Sequence, residues 1–152
     1  MEYTKIKTNY IKLIGKYGPE ILFYSTILLL LLTNQIYLFF IYLIAYSLNR
    51  LLNIIIRSNI IDNTPLNGDH GIHNMPSGHS QTIIFSFIFM MYFLKLNKNI
   101  IALFYLSIIA NTLHNCIIYN YHTPAQIIVG LLLGTLFAFF TIYLISQRKY
   151  LN

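Results

Sequence analysis

The 152-residue chain is strongly apolar, because hydrophobic residues make up 57 % of it and charged residues only 9 %. This balance excludes an ordinary soluble domain and indicates an integral membrane protein. The formal net charge of +6 suits an anionic lipid surface or an anionic substrate. The cations are scattered and no aromatic-and-basic motif occurs, so we do not expect nucleic-acid binding.

The chain begins with a basic amphipathic segment over residues 1–19. Apolar side chains recur there at helical spacing and lysines lie on the opposite face, a pattern typical of a helix in the membrane interface. Gly18 and Pro19 end this helix. The apolar run over residues 21–33 comes next. Residues 33–35 do not resemble a signal-peptide cleavage site, so we expect an uncleaved membrane helix.

Four further apolar runs predict four more membrane-spanning helices. They cover residues 36–56, 80–96, 100–119 and 124 to about 146. The predicted fold is therefore an all-α integral membrane protein, a bundle of about five transmembrane helices preceded by an interfacial amphipathic helix. We expect the amphipathic segment over residues 1–19 and a single transmembrane domain over residues 20–152.

Two arginines stand near the end of the second span. Arg50 and Arg57 are about two helical turns apart, which places them on nearly one face. Snorkelling to the interface would explain Arg57, whereas Arg50 sits deeper, where a charge generally faces a cavity or a partner. In the loop that follows, Asp69, His70 and His73 have the chemistry of metal ligands, but a solvated loop is the preferred interpretation.

The stretch over residues 75–81, MPSGHSQ, has the features of an anion-binding helix start. Pro76 is predicted at the first helical position. Ser77 and Gly78 would then place a hydroxyl and an unshielded backbone at the positive end of the helix dipole. His79 titrates near neutrality and could protonate a leaving oxygen. The alternative is a capped transmembrane helix with an interfacial histidine.

The fourth span carries a polar stripe. Ser107, Asn111 and His114 recur at helical spacing, so we expect this face to point into the bundle. Interhelical hydrogen bonding is the simpler interpretation of Ser107 and Asn111.

The fifth span opens with a second histidine, His122. Thr123 and Gln126 predict a capping box there, with Pro124 at the first helical position. The Gln126 amide has two possible roles, since it could fix the His122 tautomer or only close the capping box. Further along this span, residues 130 and 134 are glycines on one face, and they predict the close approach of a neighbouring helix.

The predicted topology brings these polar groups to one end of the bundle. The set consists of Arg50, Arg57, Ser77, Gly78, His79 and His122. Two cations, a helix start and two histidines, without thiol or carboxylate clusters, favour metal-free phosphoryl transfer through a phosphohistidine. One histidine would attack phosphorus, and the other would protonate the leaving group.

The motifs resemble those of the type 2 phosphatidic acid phosphatase superfamily, and residues 75–81 and 122–126 are more specifically similar to dolichyldiphosphatases. The resemblance implies that His122 is the nucleophile, His79 the general acid and Gln126 the residue that orients His122. It also implies a phosphate site made by four residues, Arg50, Arg57, Ser77 and Gly78. No metal or cofactor is implied. The implied active site faces the lumen or exterior, in the endoplasmic reticulum if the protein is eukaryotic or viral.

Cys116 departs from the family pattern, because the resemblance implies a phosphate-binding arginine at that position. By analogy with the loss of an oxyanion-hole donor, the missing contact would cost about a hundredfold in rate. Our hypothesis is that His114, Asn115 or His73 compensates in part.

Three functions remain open at the level of sequence. The first is a lipid phosphatase acting on a polyisoprenyl (dolichyl-type) diphosphate or a related lipid phosphate. The second is a catalytically impaired relative that binds phospholipid head groups, motivated by Cys116. The third is a small structural membrane protein with an accidental motif match, which the joint spacing of three motifs disfavours.

Overall fold

A computed structural model describes residues 12–60, 75–94 and 97–148. Five helices are named here in chain order: α1 (Gly18–Leu32), α2 (Ile36–Asn59), α3 (Gly78–Phe93), α4 (Lys98–Ile118) and α5 (Pro124–Arg148). Residues 12–16 are also helical and join α1 through a turn at Tyr17. No strand occurs in the described ranges, which confirms the all-α prediction for them.

Three helices are long and apolar enough to cross a membrane: Ile36–Asn59, Lys98–Ile118 and Pro124–Gln147. They indicate a membrane protein and correspond to three of the five predicted spans. At 1.5 Å per residue, α1 and α3 are only about 22 and 24 Å long, short of the 30 Å hydrocarbon core. Most of the predicted amphipathic helix lies outside the described residues.

Helix α3 is the central element, and it packs against each of the other four helices. Its buried side chains surround the helix axis, as expected for a helix enclosed by neighbours. Part of the core is aromatic: the Tyr42 ring of α2 lies 6.0 Å from the Phe85 ring and 5.1 Å from the Phe89 ring. The buried Tyr42 hydroxyl is 2.8 Å from Ser86 Oγ, so its polar tip is satisfied inside the bundle.

The closest helix pair is α3 with α5, and glycine makes this approach possible. A Cβ atom at Gly130 would overlap Ser80 Oγ and lie 2.5 Å from the Ser77 carbonyl oxygen. A Cβ atom at Gly134 would overlap the carbonyl oxygen of Gln81. The predicted close approach at the two glycines is therefore confirmed, and it holds the starts of α3 and α5 side by side.

The inward face of α4 differs from the predicted polar stripe. Ser107 and His114 are both exposed. The Ser107 hydroxyl donates to the Phe104 carbonyl of its own helix at 2.7 Å, so it needs no partner on a neighbouring helix. The buried polar residues of α4 are instead Thr112 and Asn115. The prediction of an inward stripe is thus wrong for Ser107 and His114.

Candidate active site

Several chain segments meet at one end of the bundle, as the short connections predict. The Asn53 side-chain amide of α2 donates to the Pro76 carbonyl at 3.4 Å. The Ser77 N–H donates to the Gln126 carbonyl of α5 at 3.1 Å. These bonds connect the last turns of α2 with the starts of α3 and α5, so these three helix ends lie together.

The backbone at the end of α4 places His122. The Cys116 carbonyl accepts the N–H groups of Tyr121 and His122, at 3.0 and 3.3 Å, and the Ile117 carbonyl accepts that of Asn120 at 3.1 Å. Asn120 adopts a positive φ of 51°, a conformation that asparagine tolerates well. This pattern is a Schellman motif, and it turns the chain so that His122 stands directly before α5.

Gln126 holds His122 and closes the capping box with the same oxygen atom. Gln126 Oε1 accepts the Thr123 N–H at 3.1 Å and lies 3.2 Å from His122 Nδ1. Thr123 Oγ1 in turn accepts the Gln126 N–H at 3.2 Å, and α5 begins at Pro124 as predicted. Because Oε1 acts as an acceptor, Nδ1 carries the proton and the ring lone pair lies at Nε2. Both proposed contacts of Gln126 therefore occur together.

His79 lies in the first turn of α3 and faces the other histidine. The ring centroids of His79 and His122 are 6.0 Å apart, with the rings tilted by 55°. His79 is half-buried, whereas His122 is 9 % exposed. His79 Nε2 lies 3.3 Å from the Lys16 carbonyl oxygen. The two histidines of the separate motifs thus form a pair.

The charges around His79 act on its pKa in opposite directions. Burial lowers this pKa below its ordinary value, and the positive charges of Arg50 and Arg57 lower it further. The hydrogen bond to the Lys16 carbonyl and the negative charge of Glu20 act against this lowering. Both predicted arginines are therefore within electrostatic range of His79.

The start of α3 differs in detail from the prediction. Ser77 is the N-cap residue, with extended backbone angles, and its Oγ accepts the Ser80 N–H at 3.5 Å. Gly78 is the first helical residue. Pro76 therefore precedes the cap, and its predicted place at the first helical position is wrong because the non-helical conformation of an N-cap belongs to Ser77. A Cβ atom at Gly78 would lie 3.2 Å from Asn53 Oδ1, so glycine also gives α2 room.

Three buried side-chain amides beneath this helix start form a hydrogen-bond network that the sequence motifs did not predict. Asn53 Nδ2 donates to Gln81 Oε1 at 2.7 Å. Gln81 Nε2 donates to both oxygens of Asn49, the carbonyl at 2.9 Å and Oδ1 at 2.8 Å. Among the described residues, Asn49 Nδ2 has no hydrogen-bond partner. Asn49 and Asn53 are one helical turn apart on an apolar helix, and this spacing is the sequence feature that could have predicted a buried polar face.

A known protein family matches most of the chain, including both histidine motifs. The family model of the PAP2 superfamily matches residues 22–150. The chain belongs to the PAP2 superfamily. PAP2 proteins are phosphatases, and membership indicates activity on lipid phosphates. No curated protein and no solved structure matches the chain.

The PAP2 match includes Cys116 and the residues expected to compensate for it. Cys116 is 3 % exposed, and a neutral thiol is a weak hydrogen-bond donor. Asn115 is buried and its side chain faces Gly15, whereas His114 is exposed. His73, together with the loop that carries it, lies outside the described residues. In residues 12–60, 75–94 and 97–148, no three histidine, cysteine or acidic side chains are grouped as metal ligands.

Proposed function

We propose that this PAP2 protein hydrolyses a polyisoprenyl (dolichyl-type) diphosphate, or a related lipid phosphate, through a phosphohistidine intermediate at His122. The observation that carries the proposal is the histidine pair, with ring centroids 6.0 Å apart and His122 Nδ1 next to Gln126 Oε1. Gln126 directs the Nε2 lone pair to the reacting phosphorus. An amide fixes the tautomer, but it stabilises an imidazolium less than a carboxylate would.

The proposed reaction has two steps, and the two histidines carry out the nucleophilic attack and the proton transfers. His122 Nε2 attacks the terminal phosphorus, the bond from phosphorus to the leaving oxygen breaks, and His79 gives its proton to that oxygen. The lipid alcohol or lipid monophosphate then departs. A water molecule attacks the phosphohistidine, neutral His79 takes a proton from the water, and His122 and inorganic phosphate are released.

Four residues would hold the phosphoryl group. Arg50 and Arg57 supply positive charge, and their electrostatic effect on His79 supports their position near the phosphate. Ser77 and Gly78 supply the start of α3, where backbone N–H groups and the helix dipole favour an anion.

An apolar groove between α2 and α5 supports a lipid substrate with a long tail. Its lining includes Ile41 and Leu48 of α2 and Phe137 and Leu144 of α5. The α2 lining ends at Leu48, just before Arg50, and the α5 lining begins at Phe137, so the groove lies beyond the proposed phosphate site toward the other end of the bundle. Such a surface accommodates isoprenoid or acyl chains without polar contacts.

Phosphate release by detergent-purified protein tests the proposal. The substrates are a polyprenyl diphosphate and phosphatidic acid, both in EDTA, with His122→Ala and His79→Ala as test variants and Asn99→Ala, at the opposite end of the bundle, as control. We expect release that survives chelation, is abolished by His122→Ala and is reduced at least about a hundredfold by His79→Ala. A folded wild-type protein that releases no phosphate from either lipid would contradict the proposal.

Cys116 favours a second candidate, a catalytically impaired PAP2 relative that binds phospholipid head groups. Its buried neutral side chain provides no charge where the family pattern has arginine. The variant Cys116→Arg distinguishes the two functions. For a weakened phosphatase we expect a rise in kcat of about tenfold or more, with folding checked by size-exclusion chromatography. For a binding protein, liposome affinity rises and phosphate release stays at zero.

We also propose that the active-site end faces the lumen or cell exterior, in the endoplasmic reticulum if the protein is eukaryotic or viral. The proposal rests on the dolichyldiphosphatase-like motifs, because the cations outside the two site arginines are nearly balanced in the sequence. Four lysines precede the first apolar run, Lys5, Lys7, Lys12 and Lys16, and four cations belong to the connections expected at the opposite end, Lys95, Lys98, Arg148 and Lys149. Labelling of single cysteines by an impermeant reagent in sealed membranes, with Asn59→Cys and Asn99→Cys in a Cys116→Ser background, measures the orientation.

A further inference from the structure

The residues before α1, together with its first turn, pack directly against the active-site end of α4. We call residues 12–20 the amino-terminal segment. A Cβ atom at Gly15 would overlap the Asn115 side chain, and one at Gly18 would overlap Thr112 Oγ1. Both glycines are buried. The segment is therefore held by close packing against α4.

Contacts on the other side of the segment reach the active-site residues. The helix over residues 12–16 is interrupted at Tyr17, and the last carbonyls of a helix need partners from elsewhere. The Lys16 carbonyl lies 3.3 Å from His79 Nε2. The Lys16 ammonium lies over the Tyr17 ring, 5.6 Å from its centroid, and the Lys12 ammonium lies 4.7 Å from the centroid of Tyr119. His79 therefore contacts the backbone of the segment, while both ammonium groups lie over aromatic rings.

Glu20 lies in the first turn of α1, and its negative charge acts on His79. It is the only acidic residue in the described ranges of the chain. The charged groups that act on His79 are Glu20, which favours the protonated ring, and Arg50 and Arg57, which disfavour it. Glu20 is exposed, so its effect is that of a partly screened charge pair.

We propose that the amino-terminal segment is a wall of the active site, in which the Lys16 carbonyl orients His79 and the Glu20 carboxylate stabilises its protonated form. The proposal rests on the proposed function, in which His79 gives a proton to the leaving oxygen. His122, whose ring centroid is 6.0 Å away, must stay neutral at Nε2 to attack phosphorus. A negative charge within electrostatic range of His79 and an amide bonded to His122 suit these opposite requirements. Glu20 is then a positioning residue, because it acts only through His79.

Histidine titration followed by NMR tests the role of Glu20 without requiring turnover. The protein is labelled at histidine Cε1 in detergent micelles, and the His79 signal is assigned by its loss in His79→Gln. In Glu20→Gln we expect the proton affinity of His79 to fall about two- to fivefold, the size of an exposed charge pair. Glu20→Asp should retain most of the affinity. Asn99→Lys adds the same net charge at the far end of the bundle and should leave the titration unchanged.

The docking of the segment is tested separately. In Gly18→Ala the new methyl group displaces the segment from Thr112, so we expect His79 to lose its contact with Lys16 and its proton affinity to fall. In Gly18→Ala/Thr112→Ala the space is restored, and the His79 titration should return toward that of wild type.

An unchanged His79 titration in both Glu20→Gln and Gly18→Ala would overturn the inference, even if the protein is an active phosphatase. A shifted titration in a protein that releases no phosphate would support the wall and contradict the proposed function. In an active protein, the pH profile of kcat/KM for Glu20→Gln should lose activity at a lower pH than wild type, because His79 deprotonates earlier.

Discussion

The two sides of α3 that lie beneath the active site are packed by different means. Toward α5 the contact depends on Gly130 and Gly134, where the backbones approach so closely that no Cβ atom fits. Toward α2 the contact depends on buried amides that hydrogen bond to one another, Asn49, Asn53 and Gln81. The glycine side fixes the distance between two helix starts, whereas the amide side fixes the rotation of α3 relative to α2. A short helix with two such neighbours has little freedom to move.

The largest effect is expected on the glycine side. Gly134→Leu would force α3 and α5 apart, because its side chain has to enter the space of the Gln81 carbonyl. We expect a loss of about 3 kcal/mol of stability, together with loss of phosphate release, since the Ser77–Gln126 backbone bond would break. Reversible unfolding in mixed detergent measures the stability. Ala110→Leu, at an exposed position of α4, is the matched control, and equal stability of the two variants would refute the close-packing argument.

An intermediate effect is expected for Asn53→Leu. The substitution leaves Gln81 Oε1 and the Pro76 carbonyl without their donor inside the bundle, and an unsatisfied buried group costs about 1–3 kcal/mol. The same unfolding measurement applies, and Asn59→Leu, an exposed asparagine of the same helix, should change stability by less than about 0.5 kcal/mol. If both asparagine variants unfolded alike, the amide network would have no structural importance.

The smallest effect is expected for Asn49→Leu, although Asn49 is as deeply buried as Gln81. Its Nδ2 has no partner among the described residues, and Gln81 Nε2 keeps the Asn49 carbonyl as an acceptor after the substitution. The change should therefore cost less than about 1 kcal/mol and could stabilise the protein. A loss of stability as large as that of Asn53→Leu would mean that the bond from Gln81 Nε2 to Asn49 Oδ1 stabilises the fold by more than the unpaired Asn49 Nδ2 destabilises it.

Local sequence rules predicted the parts of the site that depend on neighbouring residues. The capping box of Thr123 and Gln126 needs only a spacing of three residues and a following helix, and it occurs as predicted. The approach at Gly130 and Gly134 follows from two small residues on one helical face. The short connections between helices also predicted that His79 and His122 lie at one end of the bundle, and their rings are close together there.

Features that depend on the rotation of a helix were not predicted. The polar stripe containing Ser107 was predicted to face the interior of the bundle. A serine hydroxyl can donate to a carbonyl of its own helix, so the spacing of serines does not reveal which face of the helix is buried. Asn49 and Asn53 are also one helical turn apart, but they are buried. A side-chain amide is less easily satisfied by hydrogen bonds within its own helix, so it needs partners on a neighbouring helix. The bond of His79 to the Lys16 carbonyl lacks a side-chain signal, because every residue has a carbonyl.

At the end of α4, the backbone and the side chain of Cys116 have different roles. The carbonyl of Cys116, rather than its thiol, accepts the N–H groups of Tyr121 and His122. Any amino acid at position 116 provides that carbonyl, so the backbone acceptor that holds His122, the proposed nucleophile, does not depend on the chemistry of the side chain. A substitution at position 116 can therefore change the charge in the proposed phosphate site while the backbone bonds of the turn stay the same.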